Sequence, residues 1–148
     1  MFEKMVKSRN KKGFTLMEML IVIAIIAILI AIATPVLMGQ LKKAKAVADG
    51  AQLSNANSIA AVYVLSNTPA KGETTAQTAA KIMTEADTQG IPDTSTLDGQ
   101  PLTCGYVDAK GTYMFWYGDH SVKYYQAIAQ GSSEADAATN DTDKKKAP

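Results

Sequence analysis

The sequence predicts an α+β protein in which one long N-terminal helix packs on a small antiparallel sheet of about three strands. The first half of that helix is apolar and long enough to span a membrane, and its second half is amphipathic. Three observations carry the prediction. From Phe14 to Met38 the only polar or charged side chains are Thr15, Glu18 and Thr34. Beyond that run, apolar residues recur at helical spacing to about Leu65. From Leu102 to Ile128 the pattern changes to short aromatic and β-branched runs separated by Gly- and Asp-bearing turns.

The chain divides by composition into 1–13, a polar basic leader; 14–38, the apolar helix; 39–130, an exported globular domain that includes the amphipathic half of the helix; and 131–148, a tail. The leader holds Lys4, Lys7, Arg9, Lys11 and Lys12 against Glu3. Positive flanks stay cytoplasmic, so the N-terminus is expected inside and the rest outside. Lys42, Lys43 and Lys45 on the far side oppose that bias without outweighing it. As a helix, 14–38 is about 37 Å long at roughly 1.5 Å per residue, enough for a hydrocarbon core of about 30 Å. Pro35 removes a backbone donor, and Gly39 adds a second soft point, so a kink or local melt is expected there.

Glu18 is the anomaly. A carboxylate inside a spanning helix is costly and marks a functional position by default. Either its side chain reaches water at the boundary, or it waits for a cationic partner. Cleavage between Gly13 and Phe14 would create such a partner, an α-amine at the start of the same helix, which Glu18 of a neighbouring copy could pair.

Past the span, Leu37, Leu41, Ala44, Ala48, Ala51, Asn55, Ile59 and Val62 are read as the stripe that packs on the outer domain. Asn67 to Gly72 is a break rich in turn formers. Thr74 or Thr75 caps a second helix running to about Thr88, and Gly90 ends it. Pro92 to Pro101 reads as a loop. Leu102–Val107, Thr112–Tyr117 and Ser121–Ile128 read as a three-stranded meander, with Tyr113, Phe115 and Tyr117 on one face and Met114 and Trp116 on the other. The tail from Gly131 has no large apolar residue and reads as disordered.

The formal net charge of +1 gives no bulk attraction to nucleic acid, and no specific nucleic-acid partner is predicted. Cys104 is the only cysteine, so no internal disulfide can form. His120 is the only histidine. The loop acids Asp93, Asp98, Asp108 and Asp119 lack dense ligand spacing, so no metal or cofactor is expected. No nucleophile elbow or phosphate loop occurs, and the chain is not expected to be an enzyme.

Gly13-Phe14-Thr15-Leu16-Met17-Glu18, after a short basic leader and before the apolar run, resembles the class III signal of type IV pilins and pseudopilins. Pro35 also stands where that family usually has a proline. The resemblance covers about the first 40 residues. It implies cleavage after Gly13 by a prepilin peptidase, N-methylation of Phe14 and packing of the apolar helices into a filament core, a homo-oligomer. It further implies an inner-membrane assembly platform and an assembly ATPase as partners. The expected location is a single-pass membrane protein before assembly and an extracellular pilus afterwards. Many pilins close a C-terminal loop with a disulfide, and this chain departs from that pattern. The implied function is a type IV pilus subunit for adhesion, motility or DNA uptake. A major pseudopilin of a type II secretion or competence system is the alternative, and a signal-anchored monomeric binding domain a more distant one.

Overall fold

A computed structural model describes residues 13–67 and 72–143. The basic leader through Lys12, the centre of the break after Asn67, and Lys144-Lys145-Lys146 lie outside the described residues. The order of elements is α1 (Leu16–Ser66), α2 (Thr75–Thr88), β1 (Leu102–Val107), β2 (Thr112–Tyr117), α3 (Val122–Ala129) and α4 (Glu134–Asn140). The chain falls into two compact units, Met1–Met38 and Gly39–Pro148.

The first unit is helical from Leu16, and every side chain it describes is exposed. Helical assignment continues through Pro35 and Gly39. The missing donor at Pro35 is accompanied by a side-chain bond one residue earlier, where Thr34 Oγ1 donates to the Ile30 carbonyl at 2.7 Å.

The second unit is built around the outer half of α1. Its buried face is Ala46, Asp49, Gly50, Leu53, Ala56, Ile59 and Ala60. The expected stripe is therefore corrected. Of its members beyond Met38, Ile59 is buried, while Leu41, Ala44, Ala48, Ala51, Asn55 and Val62 are exposed. The reason is polar. Asp49, fully buried, accepts from Thr96 N at 2.7 Å, Thr96 Oγ1 at 2.8 Å and Leu97 N at 2.8 Å. Asn57 Oδ1 accepts from Phe115 N at 2.8 Å. An apolar-stripe count passes over the face that carries these two tethers. Gly50 lies where a Cβ would come within 3.4 Å of Tyr125 Cβ, so the glycine allows α3 close to α1.

The capping of α2 follows its sequence signal. Thr74 and Gln77 form a reciprocal capping box, and Thr78, Ala79, Ile82 and Ala86 face inward. The sheet has two antiparallel strands, with Leu102 opposite Tyr117 and Cys104 opposite Phe115. Tyr113, Phe115 and Tyr117 enter the core, and Tyr117 Oη donates to Gln52 Oε1 on α1 at 3.1 Å.

The third strand is a helix instead. Ser121 caps α3 by accepting from Lys123 N at 3.1 Å, and Tyr124, Tyr125 and Ile128 form its buried side. Their i, i+1, i+4 placement suits a helix as well as a strand, and the cap decides it. The tail is also corrected. Residues 134–140 form α4, capped by Ser133, and Ala137 and Asp141 are buried. The anchors are polar where the sequence analysis looked for apolar ones. Asp141 accepts from Ser121 N at 2.8 Å and from Ser121 Oγ at 2.5 Å. The Asp143 carbonyl accepts from Trp116 Nε1 at 2.8 Å, and its carboxylate pairs with Lys110 at 2.7 Å and Lys123 at 3.1 Å. The face of the sheet at Trp116 is thus closed by the segment at Asp143.

Asp141→Ala leaves the capped end of α3 without its acceptor, and is expected to lower the stability of the outer unit by about 2–3 kcal/mol, read by chemical denaturation. Lys42→Ala, which removes an exposed pair with Glu134, is expected to cost under about 1 kcal/mol. The hydrogen bond to Lys110, with the second one to Lys123, holds the Asp143 carboxyl below the usual carboxylate range. That stabilisation is complete above the ordinary value and is lost as pH falls through the lowered one. Below about pH 4 the strap is expected to loosen, seen as a red shift in the emission of Trp116, the only tryptophan.

Candidate processing and assembly site

Gly13, Phe14 and Thr15 precede the first helical residue, Leu16. Thr15 ends the extended lead-in because it caps the helix. Its Oγ1 accepts from Glu18 N at 3.2 Å, and its carbonyl accepts from Met19 N at 3.2 Å. Thr15-Leu16-Met17-Glu18 has the spacing of a capping box, of which the threonine half is formed. The sequence analysis missed this, although the Thr-x-x-Glu signal was present. Glu18 therefore lies in the first turn, near the positive end of the backbone dipole, and this lowers the cost of its charge.

The surroundings of Glu18 are apolar and open. Phe14 is 73% exposed, Leu16 84% and Met17 65%. The apolar window of α1 has no buried residue, and its length and composition suffice to cross a membrane. Within this chain Glu18 has no basic side chain paired to it among the described ion pairs.

Gly13 is informative in another way. A Cβ placed there meets nothing within 4 Å, and its φ is not in the left-handed region. Neither space nor conformation in the folded chain requires glycine at this position. Gly39 is likewise open, with nothing within 4 Å of a built Cβ.

The other candidates separate from this end. His120 stacks on Tyr124 with ring centroids 3.6 Å apart, so it is half-buried against α3 instead of free in a turn. Cys104 is half-buried in β1, and burial pushes its thiol up to about 12. Among the described residues no group of three or more His, Cys, Asp or Glu side chains is placed to hold a metal ion.

The described chain thus combines an exposed apolar helix bearing one capped glutamate with a small α+β unit. Residues 8–34 match the family described as the prokaryotic N-terminal methylation motif. A stretch of 59 residues is 48% identical to the type IV wide pilus major component PilA4 of Thermus thermophilus, covering 40% of this chain and 45% of that protein. The chain thus spans less than half the length of this relative. No solved structure matches. Both likenesses lie in the amino-terminal segment, which is similar to that of type IV pilins.

Thr15→Ala removes the cap and is expected to weaken the first turn by about 1 kcal/mol. The Glu18 amide should then exchange with solvent roughly fivefold faster in detergent micelles, measured by hydrogen exchange.

Proposed function

We propose that this chain is the structural subunit of a type IV pilus filament, made as a membrane-anchored precursor and assembled through its N-terminal helix. Prepilin peptidase cuts between Gly13 and Phe14, Phe14 is N-methylated, and the new amine pairs with Glu18 of a neighbouring copy. Before assembly the helix lies in the membrane with its N-terminus cytoplasmic. Afterwards it lines the filament core. The assembly platform and its ATPase supply the transfer. Pro35 and Gly39 give the helix its points of adjustment as subunits shift. The observation that carries the reading is Glu18, a carboxylate in the first turn of a helix whose apolar side chains stay exposed among the described residues.

The physical argument runs from charge to register. The ammonium at Phe14 would sit at the positive end of the helix dipole, where a cation is disfavoured. A carboxylate from another copy offsets that repulsion and is itself relieved of an unpaired charge in an apolar bundle. A copy docked out of register would leave both groups unpaired, at several kcal/mol. One docking position is therefore selected. Gly13 fits the same reading, because a glycine that the fold does not need is accounted for by an enzyme that must close on the chain there.

Glu18→Ala is expected to leave leader removal intact and to reduce the yield of sheared fibres at least tenfold, scored by electron microscopy. Normal yield removes the pairing. Gly13→Val is expected to leave the leader attached and to stop assembly, read as the mass of the membrane-bound chain. A mature terminus near Thr34 instead of Phe14 would indicate a secreted domain.

A further inference from the structure

We infer that Lys42, Lys43 and Lys45 form a collar that binds the anionic phospholipid headgroups of the membrane holding the precursor, with Glu134 as the internal counter-ion that replaces lipid at Lys42. The inference rests on the spanning role given to 14–38 above and adds a partner to it. Cations on the exported side oppose the usual charge bias of a spanning helix, and the filament function does not account for them.

The placement is close to a surface. Lys42 is the fourth residue past Met38, and Lys45 the seventh. At roughly 1.5 Å per residue they follow the apolar run by about 6 and 10 Å, comparable to a Debye length of about 8 Å at physiological salt. All three side chains belong to exposed residues. The first acid beyond the span cannot neutralise them at the surface. Asp49 is fully buried, and its oxygens are taken by Thr96 and Leu97.

The three lysines lie on one side of the helix. At about 100° per residue, positions 42, 43 and 45 fan over roughly 160° of the helix circumference. That is less than half the circumference, on the side that farther along carries Ala46, Asp49 and Gly50, so the lysines meet headgroups from one side of the helix. Lysine suits this task, as a flexible point charge able to meet a phosphate from several directions.

Two of the three lysines also meet the end of α3 and the start of α4. Lys42 Nζ lies 2.6 Å from Glu134 Oε1, with the lysine side chain still 47% exposed. Lys43 Nζ lies 3.6 Å from where a Cβ on Gly131 would be, just past the C-terminal end of α3, where the backbone dipole favours a cation. A subunit that leaves the bilayer gives up its phosphates. Glu134 and the α3 end then provide the replacement negative charge, so extraction does not strand the collar unpaired.

The test uses the full chain in nanodiscs of phosphatidylcholine alone or with phosphatidylglycerol, with each lysine labelled by an amine-reactive ester and read by mass spectrometry. An anionic surface holds amines protonated and slows labelling. Lys42, Lys43 and Lys45 are expected to slow by about fivefold in anionic discs, the weight of one lysine beside such a surface. Lys81 and Lys123 should not change. The protection should vanish near 1 M salt, where the Debye length is about 3 Å. Glu134→Gln is expected to increase the lipid effect at Lys42. Equal rates in both discs overturn the inference while leaving the span intact. Protection by inorganic phosphate in phosphatidylcholine discs points to a free-anion site and overturns the lipid source. Protection that follows the number of chains per disc, and not lipid charge, assigns the collar to a second copy and also overturns it. A chain that does not enter the discs overturns the span and this inference together.

Discussion

The constraint on which the rest depends is that, among the described residues, no side chain of the inner half of α1 is buried. From Phe14 to Met38 every side chain is exposed, and the run is almost entirely apolar. Such a surface is not stable in water, so lipid or other copies must cover it. Lipid covers it without selecting a register. On the reading proposed above, copies of the chain would cover it with selection, because Glu18 would discriminate between a paired and an unpaired position. On that reading, polymer and precursor would share one helix and differ in what surrounds it.

The outer unit solves a different problem, since with a single cysteine it must hold without an internal cross-link. It does so with buried carboxylates. Asp49 ties the loop after α2 to α1, and Asp141 ties the chain's end to the cap of α3. Each accepts from backbone amides, the geometry in which a buried charge is best tolerated. Asp143 adds a strap over Trp116. These tethers join segments distant in sequence to the helix and sheet.

Legibility followed the kind of interaction involved. The apolar run, the Gly13-Phe14 junction and Glu18 stand out because an unbroken apolar stretch needs no tertiary context. The cap of α2 is local: Thr74 or Thr75 was legible as its start, and the reciprocal bond of Gln77 decides for Thr74. The strands β1 and β2 kept their alternation and turn. What was not legible depended on long-range polar contacts. Asp49 and Asn57 mark the buried face of α1, yet in sequence they look like surface residues. Ser121 turns an aromatic run into a helix, and its own anchor is Asp141, which lies in a stretch that composition describes as disordered. At the candidate site, the cap that places Glu18 in the first turn is a local polar contact from Thr15, whose hydroxyl is masked in sequence by the apolar run around it.

The most direct measurement of the central claim is a high-resolution cryo-electron microscopy structure of sheared fibres, with their N-terminal residue identified chemically. The account predicts a chain beginning at methylated Phe14, with its amine within about 4 Å of the Glu18 carboxylate of an adjacent copy. Fibres whose subunits retain residues 1–13, or in which Glu18 faces no neighbouring amine, would contradict it.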